Sequence, residues 1–218
     1  MSGLMRAIRC ASWRAGRCVG MTLLMSVGFV FYFMLLDGTS FTLMNIVGRF
    51  PQMVVFVGSM MYLIFGMVDI VTYVQYAMSC GCTRKNTLFS AVYMHMFELA
   101  VTELVLAVYY LVLPAGWSMV SGREVCMTVL HLFLFDMGLS LTMGILVKRF
   151  GKAAYILLVL LCSAAGGIVG GLVGFFGTAV FSAMIPNASL VVPAAAFAWY
   201  GFMAVVFWMF IRKMEVRV

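Results

Sequence analysis

Six times along this chain, roughly twenty residues pass almost without charge, the length an α-helix needs to cross the hydrocarbon layer of a bilayer. The runs cover residues 19–36, 53–75, 88–113, 125–147, 153–176 and 190–211. A soluble core cannot absorb them. Of 218 residues, 65% are hydrophobic and 10% charged, where a globular domain carries about a quarter charged. Inside a bilayer each backbone N–H and C=O must be satisfied within its own segment. The expected fold is therefore an all-α polytopic membrane protein with six transmembrane helices in a single transmembrane domain, 1–218.

The stretch 153–185, without one charge, would measure roughly 50 Å as one helix, against a hydrocarbon core of about 30 Å. It has to bend or break. The expected solution is a fifth span over 153–176 and a short re-entrant or interfacial segment over 177–189, turned at Pro186-Asn187.

Cation placement sets the expected orientation. With the N-terminus inside, the inner segments hold Arg6, Arg9, Arg14, Arg17, Arg84, Lys85, Lys148, Arg149, Lys152, Arg212, Lys213 and Arg217, and the outer loops hold only Arg49 and Arg123. Such a bias calls for an even number of crossings with both termini in the cytoplasm. The net charge of +7 sits at the edges of apolar runs and forms no continuous stripe, so it points to membrane lipids and not to nucleic acid. Residues 1–18 have their own periodicity. At 100° per residue Arg6, Arg9, Arg14 and Arg17 fall on one helical face, and Leu4, Ile8, Ala11 and Ala15 on the other. The pattern predicts a basic amphipathic helix on the inner leaflet or, equally compatible with it, a basic tail acting as a topology signal. The six cysteines show no paired metal spacing, and neither a structural disulfide nor a metal site is expected.

The loop between the second and third runs reads Ser79-Cys80-Gly81-Cys82-Thr83-Arg84-Lys85-Asn86-Thr87. Gly81 can end one helix and Thr83 can cap the next, which would project two cations from a tight corner. Composition alone makes this an ordinary inner loop. The segment also resembles the S-x-G-x-T-R-K stretch of small bacterial permeases of the type-2 ATP-binding-cassette exporter family. The basic helix ahead of the first span, the six crossings and the apolar re-entrant stretch before the last follow the same order.

That resemblance implies that Gly81, Thr83, Arg84 and Lys85 form the segment touching a separate ATPase subunit, and that residues 1–18 are a connecting helix along the membrane surface. It implies no catalytic residue and no cofactor on this chain, with ATP and Mg held by the partner ATPase. It implies pairing with a second permease, as a homodimer or heterodimer, in the bacterial cytoplasmic membrane. Consistent with a motor in trans, the chain lacks a G-x-x-x-x-G-K-[ST] phosphate loop; Phe150-Gly151-Lys152-Ala153 has neither the upstream glycine nor the hydroxyl residue.

Six ionisable residues fall inside the apolar runs: Asp69, His95, Glu98, Glu103, His131 and Asp136. A charge at the bilayer centre costs roughly 2.5–3.5 kcal/mol on insertion scales, so these groups are expected to face protein or water or to be protonated. They can line a polar pathway or join helices by hydrogen bonds. The i, i+3 and i, i+4 spacings allow His95 to meet Glu98 and Asp136 to meet Ser140. Gly166, Gly170 and Gly174 form a small-residue row suited to close helix packing. Two other functions fit these features: the substrate-binding membrane component of a modular vitamin importer, and a proton-coupled carrier or channel using Glu98, Glu103 and Asp136.

Overall fold

A computed structural model of the chain describes residues 3–79, 82–112, 122–151, 153, 156 and 188–213. These residues form five long helices: α1 (Gly3–Leu36), α2 (Leu43–Ser79), α3 (Arg84–Val112), α4 (Gly122–Phe150) and α5 (Ala188–Arg212). All five contain a stretch long and apolar enough to cross a membrane. The expected run 153–176 and the re-entrant stretch 177–189 lie outside the described residues, except that 153 and 156 are helical and 188–189 open α5.

The distribution of side chains is that of a multi-pass membrane protein. Thr22, Ser26, Thr87, Ser90, His95, Glu98, Thr102, Asp136, Ser140 and Thr142 are buried, while Leu24, Leu35, Leu104 and Leu111 stand exposed, Leu111 by 85%. In water this would waste the hydrophobic effect. In lipid it is the stable arrangement, because polar groups find partners only inside the bundle.

Contacts between side chains give the helix directions. Tyr73 on α2 reaches Ala7, and Arg49 on α2 pairs with Asp37 at the far end of α1 at 2.6 Å, so α1 and α2 are antiparallel. Tyr73 bonds Ser90 and Tyr62 bonds Thr102, so α2 and α3 are antiparallel, and α1, which meets α3 at Ser12–Tyr93, therefore runs parallel to α3. Ser140 on α4 meets His95 on α3 near the middle of both, and a Cβ on Gly122 would touch Tyr110, so α3 and α4 are antiparallel. Trp199 bonds the Phe135 carbonyl and Arg149 lies over the Phe210 ring, so α4 and α5 run parallel along their length. α4 is the centre of the bundle, packed along both α2 and α5.

Two expectations are corrected here. Residues 1–18 are not a separate helix: α1 runs unbroken from Gly3 through the first span to Leu36. Its small-residue face, Ala7, Ala11 and Ala15, is buried, the last two against Met94 and Phe97 of α3, where the expectation was a helix lying on the inner leaflet. Alanines allow the close backbone approach that brings the Tyr73 hydroxyl within 3.2 Å of the Ala7 carbonyl.

The second run is also longer than its uncharged core, since α2 begins at Leu43 and carries Pro51 inside it. Proline lacks the N–H that would bond the Val47 carbonyl four residues back. The Tyr109 hydroxyl of α3 donates to that carbonyl, which explains how the helix continues through the proline.

Candidate functional site

The buried polar residues of α3 meet groups from α2, α4 and α5. His95 is fully buried; its Nδ1 lies 3.3 Å from the Tyr200 hydroxyl of α5, and its Nε2 lies 3.5 Å from Ser140 Oγ of α4. From α2, Gly66 leaves the space that this contact occupies: a Cβ there would stand 2.8 Å from Ser140 Oγ and 3.7 Å from His95 Nε2. One turn along α3, Glu98 is buried within electrostatic reach of the Tyr62 and Tyr200 hydroxyls. Tyr62 bonds Thr102 at 2.7 Å and packs edge-on against Phe133, with ring centroids 4.6 Å apart. His95, Glu98, Tyr62, Tyr200, Ser140 and Thr102 thus form one polar cluster across α2, α3, α4 and α5.

The other expected residues sit apart from it. Asp136 bonds Ser59 of α2, not Ser140 one turn away; Ser140 instead donates to the Met137 carbonyl and turns towards His95. The pairing runs between helices because a bonded pair along one helix would still leave the facing helix an unmatched polar neighbour. Glu103 shares a hydrogen bond with the Cys126 thiol of α4, and its Oε1 is buried without a partner. His131 has a buried Nδ1 without a partner and borders an apolar cavity of about 490 Å³ between α4 and α5, lined also by Leu132, Phe135, Val192 and Trp199. The Asp69 side chain lies outside the described residues. Among the described residues no group of three His, Cys, Asp or Glu is placed to hold a metal ion.

A second location is the corner between α2 and α3. Thr83 caps α3: its Oγ1 accepts the Asn86 N–H at 3.2 Å and its carbonyl accepts the Thr87 N–H at 3.0 Å. Arg84 donates to the Arg212 carbonyl at 2.5 Å, where a cation meets the free carbonyls ending α5. Lys85 is exposed. Gly81 lies outside the described residues, as do Gly166, Gly170 and Gly174.

Charge was the signal used to find functional residues, and it missed the neutral members of the cluster. Tyr62 and Tyr200 could have been noticed: tyrosines favour the membrane interface, and both lie well inside an apolar run. The close-packing glycines that can be described are on α2 and α4. A Cβ on Gly144 would stand 2.7 Å from Ile70 Cγ2 and 3.0 Å from the Met67 carbonyl oxygen. No protein-family model matches this chain, and neither a curated protein nor a solved structure does.

Proposed function

We propose that this chain is the permease subunit of an ATP-driven exporter of the type-2 ATP-binding-cassette kind. It would move an amphipathic or hydrophobic cargo while a separate subunit hydrolyses ATP. The observation that carries the proposal is the corner. Its cap at Thr83 and its tie from Arg84 to the end of α5 make it stiff, and Lys85 projects from it. A docking element of this kind can transmit a push from a soluble partner to two helices together, which a loose linker cannot do.

Six crossings with both termini in the cytoplasm belong to the same proposal. What supports the count is the parallel packing of α4 and α5. A chain that leaves α4 at one face of the bundle and enters α5 at the other has to be returned across the membrane by residues 151–187. What supports the orientation is the gathering of Arg6, Arg9, Arg84, Lys85, Arg149, Arg212 and Lys213 at one end. The bacterial cytoplasmic membrane, a second permease subunit and an ATPase partner complete the reading.

The test is to purify the tagged chain from native membranes and quantify ATP-binding-cassette ATPase in the eluate. Lys85→Glu should reduce it and Arg84→Glu with Lys85→Glu should abolish it, with membrane insertion intact. Lys85→Glu alone leaves the Arg84 tie to α5 untouched, so a loss there reports docking. Equal ATPase recovery in the double variant would sink the proposal.

The burial of Glu98 and Asp136 favours a second reading, a carrier or channel that couples transport to protons through Glu98, Glu103 and Asp136. Uptake by the purified chain alone in liposomes, driven by a pH gradient, would favour this reading over the exporter.

A further inference from the structure

The register of α1 against its neighbours places arginines where lipid tails are expected. Arg14 bonds Thr72 at 3.2 Å, and Ser12 bonds Tyr93 at 3.1 Å. Both partners lie within the apolar runs 53–75 and 88–113 of α2 and α3. Counting from the ends of those runs at 1.5 Å per residue, the Arg17 backbone sits roughly 9–15 Å inside the apolar boundary, and Arg9 sits at that boundary to within roughly 3 Å. An isolated span over 19–36 would have left Arg17 in water.

Arg6, Arg9, Trp13 and Arg17 fall within about 80° of one another around α1 at 100° per residue. All four are exposed, opposite the buried Ala7, Ala11 and Ala15. Helical side chains lean towards the N-terminus, here the basic end of the bundle. Arg17 does so, with its guanidinium 4.7 Å from the centroid of the Trp13 ring one turn back. The stripe is thus a line of guanidinium groups running from the basic end into the hydrocarbon, with an indole between its two deepest members. None of Arg6, Arg9 and Arg17 forms an ion pair among the described residues, and residues 1–36 contain no acid.

We infer that this face of α1 is a binding site for anionic phospholipid, with the headgroup phosphate held by Arg6, Arg9 and Arg17 and the glycerol region against Trp13. A phosphate diester accepts the forked guanidinium donors and supplies the charge that no described residue brings to them. A lipid brings that phosphate to the required depth, because its tails remain in the hydrocarbon while the bilayer thins locally around the arginines. A second copy of this chain is disfavoured as the occupant, since a twofold contact through α1 would set the stripe against itself. The inference is independent of the exporter reading, as it concerns the side of α1 facing away from α2 and α3.

Native mass spectrometry of the delipidated full chain, titrated with phosphatidylglycerol or phosphatidylcholine, tests it. Phosphatidylglycerol should be retained at least tenfold more tightly than phosphatidylcholine. Arg6→Gln with Arg9→Gln and Arg17→Gln should remove that preference. If the triple variant does not fold, Arg9→Gln and Arg17→Gln singly should each weaken it several-fold, while Arg149→Gln leaves it unchanged. Millimolar inorganic phosphate should not displace the lipid. Equal retention of both lipids, an unchanged preference in the glutamine variants, or displacement by inorganic phosphate alone would overturn the assignment. So would loss of a protein partner from the variants with lipid binding unaltered.

Discussion

The hydroxyl of Tyr200 lies 3.3 Å from Nδ1 of His95, joining α5 to α3 in the centre of the bundle across 105 residues of sequence. Both residues are buried, so each group depends on the other to replace the water it lost. Tyr200→Phe removes the bond at almost constant volume. The expected loss is about 0.5–1.5 kcal/mol, towards the lower value since intramembrane bonds average about 0.6. Reversible unfolding in mixed detergent micelles measures it. Ser140→Ala should cost less, because Ser140 stands 3.5 Å from Nε2, the outer limit of a hydrogen bond.

Gly66 tests the packing behind the same cluster. Gly66→Ala forces a methyl group to within 2.8 Å of Ser140 Oγ and 3.0 Å of its Cβ. Overpacking of this kind costs about 1–3 kcal/mol. Gly66→Ala combined with Ser140→Ala should recover part of the loss by removing the nearer atom. Gly201→Ala is the control: a Cβ there meets nothing within 4 Å, and the change should be neutral or stabilising by up to about 1 kcal/mol.

Pro51 and Tyr109 should be energetically coupled through the Val47 carbonyl. In the natural chain Tyr109→Phe leaves that carbonyl without its donor and should cost about 1 kcal/mol. Pro51→Ala restores a backbone N–H to the same acceptor, so in that background Tyr109→Phe should cost much less. A double-mutant cycle on unfolding free energies reads the difference directly. Strict additivity would show that the two residues do not share the acceptor.

The helix directions fix which positions share a face of the membrane. Single cysteines at Lys85 and Lys213 in a background without the six native cysteines should react with an impermeant thiol reagent from one side, and cysteines at Ser40 and Glu124 from the other. Residues 85 and 213 adjoin the Arg84–Arg212 tie, whereas residue 40 adjoins the Asp37–Arg49 pair and residue 124 lies near the start of α4. Labelling of Lys85→Cys and Glu124→Cys from the same side would contradict the antiparallel course of α3 and α4.

Much of the fold was legible because lipid imposes a simple length rule. Five of the six apolar runs have a described helix in register with them, and their ends are offset by caps such as Thr83 and by the carbonyl at Val47. The candidate residues of α3 and α4 were legible for a related reason, since a carboxylate or imidazole in an apolar run is conspicuous. Their partners were not. Nothing in the spacing of Asp136 and Ser140 on one helix reveals that Asp136 turns to Ser59 and Ser140 to His95. A neutral serine or tyrosine carries no such mark, and its importance depends on which helix lies opposite.

By itself, then, the order of residues determined that lipid is the solvent, how long each helix must be and which residues are costly to bury, because these follow from transfer free energies that act locally. Only the tertiary structure decided that α1 continues from Gly3 to Leu36, that its alanines rather than its arginines meet α3, and that α4 and α5 lie parallel. Those outcomes depend on how closely two backbones approach and in what register. Both are set by small side chains such as Ala11, Ala15, Gly66 and Gly144, whose weak individual preferences act only when a second helix is present.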